Sequence, residues 1–118
     1  MRVLLALLVV VCAVRATTYF QESFGSGWES RWTKSTFKGD EAGDLVSTPN
    51  GGVKTSTDAR FYQYSASFPE FSNAGKTLVF QFSVAHPQHL DCGGGYFKLL
   101  PAGFDAAKFN GDTPYDIM

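Results

Sequence analysis

Hydrophobic residues alternate with polar ones in the central part of this chain. In the run at 78–84, Phe80, Phe82 and Val84 share one face, and the residues between them are polar. A period of two is typical of a β-strand, because successive side chains of a strand point to opposite faces. Further strand candidates, rich in aromatic and aliphatic residues, lie at 61–68, 96–100, 19–20, 32–36 and 45–47.

Turn-forming residues separate these runs. Clusters that contain Gly, Pro, Asn or Ser lie at 25–27, 49–52, 71–75 and 110–112. No stretch carries the sustained 3.6-residue hydrophobic period of an amphipathic helix. Many short strands with frequent turns predict an all-β fold, a sandwich or a barrel, rather than a parallel α/β sheet.

The composition is that of one globular domain. Of the 118 residues, 44% are hydrophobic, 15% aromatic and 18% charged, with 10 Lys+Arg against 11 Asp+Glu. The chain is too apolar for a disordered protein, and its balanced charge does not suit a nucleic-acid binder. We therefore expect no nucleic-acid partner.

The N-terminus has the pattern of a secretory signal peptide. A basic start is followed by an apolar run at 3–14, and Val14 and Ala16 offer the small residues that precede a cleavage site. A membrane anchor is the alternative, but a spanning helix needs about 20 apolar residues. We predict a signal peptide at 1–16, a mature segment at 17–118 and no membrane span.

Cysteine usage points to an incomplete domain. Cys12 would leave with the signal peptide, so Cys92 is the one cysteine of the mature segment. In an oxidising compartment, an odd cysteine implies a missing partner, an intermolecular disulfide or a free thiol. The apolar residues at 114–118 end without a turn, a charged tail or a retention signal. We expect the natural protein to continue past Met118.

The segment from Asp91 to Leu100 is the least generic part of the chain. Three glycines precede an aromatic strand, which indicates a bulge or a close approach to the backbone. Alternation places Tyr96 and Lys98 on one face of that strand and assigns Phe97 to the core on the other. An aromatic ring beside an ammonium suits a sugar site, and a solvated sheet face is the alternative.

Several motifs in this order resemble the calreticulin/calnexin family of endoplasmic-reticulum lectin chaperones. The run Asp-Cys-Gly-Gly-Gly-Tyr-Phe-Lys-Leu-Leu at 91–100 is similar to the family signature, and Gly-Asp-Thr-Pro-Tyr-Asp-Ile-Met at 111–118 is similar to a second motif. Residues 19–24, 27–28 and 31–32 resemble the opening of the family's sequences, and residues 55–62, 65–68 and 71–73 resemble the calreticulin branch more than the calnexin branch.

The resemblance implies a legume-lectin-like (concanavalin A-like) jelly-roll β-sandwich, of which 17–118 is the N-terminal part of the lectin domain. It implies a chaperone of the endoplasmic reticulum lumen that binds monoglucosylated N-glycans on unfolded glycoproteins and assists their folding. Partner folding enzymes would bind through a proline-rich arm that is absent here. The residues that would contact the terminal glucose are Tyr96, Lys98, Tyr115 and Met118.

Two further sites follow from the same resemblance. Cys92 would form a disulfide with a cysteine beyond Met118. Calcium is the implied cofactor, and its main-chain ligands in this chain would be Ser23, Pro49 and Gly51. A carboxylate ligand would come from outside the segment.

Other chemistries fit the sequence less well. His86, His89, Asp91 and Cys92 match no common zinc spacing, and nothing near Cys92 supports a Cys/His nucleophile. A secreted glycan-cleaving enzyme needs two carboxylates at a set separation, and the acids lie in turn-like segments rather than in pairs on a strand. An adhesion module with the same sandwich fold is the other alternative. We predict a binding protein rather than an enzyme.

Overall fold

The computed structural model describes residues 16–87 and 94–118. Four short strands form the regular structure of these residues. One 3-10 turn, at Trp28–Ser30, precedes the first strand, and a second, at Gly39–Glu41, lies between the first and second strands. The strands are β1 (Thr33–Lys34), β2 (Leu45–Ser47), β3 (Val53–Thr55) and β4 (Tyr64–Ser65).

All strand pairing in the described residues is antiparallel. β1 pairs with β4, with Thr33 opposite Ser65. β2 pairs with β3, with Val46 at the centre of the ladder opposite Lys54. Single bridges add a parallel contact between Ala42 and Phe61 and an antiparallel contact between Leu99 and Ile117. The predicted all-β class is therefore confirmed, and the described residues form part of such a domain.

A tight turn joins β2 to β3. Gly51 and Gly52 both have φ near 84°, a left-handed conformation that glycine adopts without a steric cost. The Thr48 amide donates to the Gly52 carbonyl over 3.0 Å, and the Gly51 amide donates to the Thr48 carbonyl over 3.2 Å. The Pro-Asn-Gly-Gly sequence thus fixes the hairpin and sets the strand register.

The predicted strands match the structure unevenly. The strand predicted at 45–47 is β2, whereas the candidates at 32–36 and 61–68 shrink to the two-residue strands β1 and β4. β3 was not predicted. The runs at 78–84 and 19–20 form no strand, and 96–100 contributes only the bridge at Leu99. A strand requires a neighbour for its N–H and C=O groups, and no described segment provides one for 78–84.

Most of the aromatic residues are not fully buried in this structure. Trp28 is the buried hydrophobic residue of the described segments, 3% exposed, while Phe82 is 66% exposed. Trp28 packs edge-on against Phe24, with ring centroids 5.8 Å apart, and its indole N–H donates to the Ser47 hydroxyl over 3.0 Å. This cluster connects the turn at 28–30 to β2, and the aromatic residues at 80–84 remain uncovered by the described chain.

A buried serine ties the later part of the chain to β1. Ser35 is 1% exposed, and its hydroxyl donates to the Phe109 carbonyl over 2.6 Å. The adjacent Thr36 amide donates to the Ala107 carbonyl over 2.7 Å. These bonds link positions more than 70 residues apart. They fix the segment that leads into the turn at 110–113.

The N-terminal segment is held by the carboxylate of Glu22. Its two oxygens accept bonds of 2.9 Å each from Arg31 Nη2 and Nε, and one also accepts the Trp32 indole N–H over 3.1 Å. The Phe24 amide donates to the same group over 2.6 Å. The hydrogen bond from Arg31, with the added donors, lowers the pKa of the Glu22 carboxyl from 4.5 to about 2.

This hydrogen-bond network predicts that the stability of the fold decreases at acid pH. Because the pKa of Glu22 is lower in the folded chain, its ionised form stabilises the fold fully above pH 4.5, and that contribution is lost as the pH falls toward 2. The Glu22→Gln variant should have a lower Tm than the unchanged protein at pH 6, and this difference should narrow at pH 2.5. A difference that stays constant across this range would contradict the network. Glu70→Gln, at an exposed acid, is the matched control.

Candidate functional site

Two segments that are distant in sequence meet at an antiparallel bridge. The Leu99 amide donates to the Ile117 carbonyl over 2.9 Å, and the Asp116 amide donates to the Leu99 carbonyl over 2.8 Å. The bridge therefore brings the segment that carries Lys98 beside the segment that carries Tyr115 and Met118.

The Lys98 ammonium is anchored at two points. Its Nζ atom donates to the Gly111 carbonyl over 2.8 Å and lies 4.5 Å from the centroid of the Tyr115 ring. The ring attracts the cation through its negative face. An ammonium has three N–H donors, and the Gly111 carbonyl takes one. The structure thus places Lys98 and Tyr115 in contact and orients a cation on an exposed surface.

Tyr96 lies apart from this contact. Its side chain is 80% exposed and folds back toward Gly94, where a Cβ atom would lie 3.4 Å from the phenol oxygen. This is an ordinary van der Waals distance, and a Cβ atom on Gly95 would meet nothing within 4 Å, so the close approach to the backbone stays a prediction. No contact between the Tyr96 ring and Lys98 or Tyr115 is found in the described segments. Tyr115 and Met118 are 46% and 62% exposed, so both side chains are accessible to a ligand.

The opposite face of the strand is aromatic. Phe97 packs on Phe80 and Phe82, with ring centroids 5.7 and 5.9 Å apart. This arrangement follows from alternation, since Phe97 points away from its neighbours Tyr96 and Lys98. Phe97 is nonetheless 40% exposed, so the assignment of this face to a core is wrong for the described chain. No described residues form a second layer over it.

The three predicted calcium ligands lie in two separate segments of the chain, which are linked through Trp28. Ser23, Pro49 and Gly51 are exposed. The Trp28 ring packs on Phe24, which follows Ser23 in the sequence. The Trp28 indole N–H donates a hydrogen bond to Ser47, at the end of β2 and close in sequence to Pro49 and Gly51. The Gly51 carbonyl already accepts the Thr48 hydroxyl.

These positions do not fit a calcium ion by themselves. Calcium takes 6–8 oxygen ligands, carboxylates among them. The residues at 16–87 and 94–118 hold no group of three His, Cys, Asp or Glu side chains suited to a metal. The carboxylate near Ser23, that of Glu22, is already bound by Arg31.

Some predicted residues lie outside the described part of the chain. Cys92, His89 and Asp91 fall in 88–93, and the predicted signal peptide falls largely in 1–15. His86 is described and exposed. Among the described residues, no helix is long and apolar enough to cross a bilayer.

Sequence reasoning missed the Gly111 carbonyl. The Asn-Gly-Asp run at 110–112 predicted a turn, and the structure has one, closed by a 3.2 Å bond from the Thr113 amide to the Asn110 carbonyl. The contact of this turn with Lys98 joins residues 13 apart in sequence and depends on the register at Leu99 and Ile117. The sequence carries no signal that sets this register.

Comparisons with known proteins place the chain in a family. Residues 19–118 match the calreticulin family. Calreticulin from Euglena gracilis is 50% identical over 97% of this chain, calreticulin from Bos taurus 46% over 94%, and calreticulin from Caenorhabditis briggsae 46% over 97%. The chain spans 30%, 29% and 31% of the length of these relatives. No solved structure matches it.

The family match and the identities agree with the motifs at 91–100 and 111–118. The similarity covers nearly the whole chain rather than a single motif. This chain belongs to the calreticulin family.

Proposed function

We propose that this protein is a lectin chaperone of the endoplasmic reticulum that binds monoglucosylated N-glycans on unfolded glycoproteins and assists their folding. The observation that carries the proposal is the Lys98 ammonium, held against the Tyr115 ring and the Gly111 carbonyl on an exposed surface. The similarity to calreticulins over 94–97% of the chain supports the same function.

The anchored cation suits a neutral sugar. Two N–H donors of Lys98 remain for the hydroxyl groups of a ligand, since Gly111 engages one of the three. The exposed rings of Tyr96 and Tyr115 offer apolar faces for the C–H surface of a hexose. Met118, which follows the bridged Ile117 and is 62% exposed, would add a flexible apolar contact. We assign these four residues to the contact with the terminal glucose.

The proposals for localisation, disulfide, partners and calcium rest on the family membership and on the signal-peptide pattern. The signal-peptide pattern at 1–16 supports entry into the secretory pathway, and we place the protein in the lumen of the endoplasmic reticulum. We propose that Cys92 forms a disulfide and that folding enzymes bind through an arm outside this chain. Calcium is proposed as the cofactor of the whole protein. Ser23, Pro49 and Gly51 would supply only main-chain oxygens to it, with the other ligands outside the described residues.

A matched pair of glycans tests the proposal. We expect the full-length protein to bind an immobilised monoglucosylated high-mannose N-glycan. The same glycan without its terminal glucose should bind at least about tenfold more weakly, the loss expected for one or two hydrogen bonds to a charged group. Equal binding to both glycans would overturn the assignment. Hydrolysis of either glycan would point instead to a glycan-cleaving enzyme, and binding to glycoproteins stripped of glycans would point to an adhesion module.

A further inference from the structure

A small turn holds the carbonyl that anchors Lys98. Within the turn at 110–113, the Asn110 amide donates to the Thr113 hydroxyl over 2.8 Å, and the Asp112 amide donates to the Asn110 side-chain oxygen over 2.7 Å. With the 3.2 Å bond from the Thr113 amide to the Asn110 carbonyl, three hydrogen bonds close four residues. Gly111 lies inside this closed loop. The direction of its carbonyl is therefore fixed by Asn110 and Thr113.

The same short segment provides both anchors of the cation. The Gly111 carbonyl accepts one N–H of Lys98, and Tyr115, four residues later, places its ring 4.5 Å from the Nζ atom. A lysine side chain has about 2 kcal/mol of rotamer entropy to lose, so an ammonium held before binding loses less of it when the ligand arrives. A side chain four carbons long cannot hold this position without an external support.

We propose that Thr113 and Asn110 are positioning residues of the glycan site, which lock the turn at 110–113 so that the Gly111 carbonyl and the Tyr115 ring orient the Lys98 ammonium. Neither side chain touches the sugar in this scheme. This inference deepens the proposed function and rests on it for the binding measurement. The orientation of Lys98 is a property of the free protein and is measured without any glycan.

The first test measures the orientation of the Lys98 side chain by NMR. In the free full-length protein labelled with ¹³C-lysine, the ε-methylene protons of Lys98 should be shifted upfield by the Tyr115 ring. Thr113→Val removes the hydroxyl that accepts the Asn110 amide and keeps a similar shape. We expect the Lys98 shift to move toward that of an unrestrained lysine. Thr113→Ser, which retains the hydroxyl, should restore it.

The second test measures glycan binding by the same variants. Thr113→Val should weaken binding of the monoglucosylated glycan by about threefold to tenfold, the range expected for one hydrogen bond, and Asn110→Ala should act similarly. Thr113→Ser should bind as the unchanged protein does. Ser72→Ala is the matched control, because Ser72 accepts the Ala74 amide over 3.3 Å in a different turn and should alter neither readout.

The two readouts separate the possible failures. If Thr113→Val leaves the Lys98 shift in place, the positioning role is overturned, whatever happens to glycan binding. If the shift moves in Thr113→Val and returns in Thr113→Ser while the unchanged protein binds no glycan, the turn does position Lys98 and the proposed function fails. Weaker binding in both Thr113 variants would show that retaining the hydroxyl does not preserve binding, and it would overturn the role of the hydroxyl.

Discussion

Lys98→Ala should reduce binding of the monoglucosylated glycan by about tenfold to 150-fold without unfolding the protein. Hydrogen bonds to a charged group contribute about 1.5–3 kcal/mol, and the substitution removes the ammonium that lies 4.5 Å from the Tyr115 centroid. The Lys98 side chain contacts an exposed turn and an exposed ring, so its loss opens no cavity in a core. Glycan titration by calorimetry and a thermal melt of the same sample measure both effects.

A charge-matched variant controls this experiment. Lys76→Ala removes the same charge at an exposed position of another turn and should bind as tightly as the unchanged protein. Loss of binding in both variants would assign the effect to the overall charge of the surface. A collapse of the melting transition in Lys98→Ala alone would show that this side chain supports the fold, contrary to its position at the surface.

Trp28→Ala should destabilise the protein by about 3–5 kcal/mol, the largest effect on stability that we expect from a single substitution in this chain. Trp28 is 3% exposed and contacts the rings of Phe24 and Tyr64. Its indole N–H is also bonded to Ser47, so truncation leaves both a cavity and a serine without this partner. Urea unfolding followed by circular dichroism measures the difference in the free energy of unfolding.

A substitution at an exposed side chain provides the control for Trp28→Ala. Val79→Ala, at a side chain that is 78% exposed, should cost less than about 0.5 kcal/mol. Phe24→Leu should lie between the two, because it keeps an apolar contact with Trp28 while losing the ring. A cost below about 1 kcal/mol for Trp28→Ala would mean that the cluster of 24, 28 and 64 is not a centre of stability.

Local patterns in the sequence predicted the fold class and parts of the sheet. The strand at 45–47 and the hairpin turn that follows it are specified by adjacent residues, and both are present. The run at 78–84 has an equally clear period of two but forms no strand, because pairing requires a neighbouring edge and periodicity does not report one. The short strand at 53–55 was missed, since Val-Lys-Thr carries little signal without its partner.

For the candidate site as well, individual residues were predicted from the sequence and the contacts between distant residues were not. Tyr96 and Lys98 were identified from a local pattern, and Tyr115 and Met118 from a family resemblance. The contact of Lys98 with Tyr115 and Gly111 depends on the bridge between Leu99 and Ile117, which is non-local. The exposure of the Phe97 face could not be predicted, because alternation shows which residues share a face and not whether another layer covers it.

The unpaired run at 78–84 has a consequence for the synthesis of the protein. It carries no charge and no proline, and its valine and phenylalanine residues have high β-propensity, which is the composition of segments that form intermolecular cross-β stacks. Lys76 and Pro87 flank it in the positions where gatekeeper residues oppose such stacking. A chain emerging from the ribosome at about 5–20 residues per second exposes this run, and no described segment pairs with it. Exposure of the run therefore favours aggregation over the native fold, and Lys76 and Pro87 oppose that outcome.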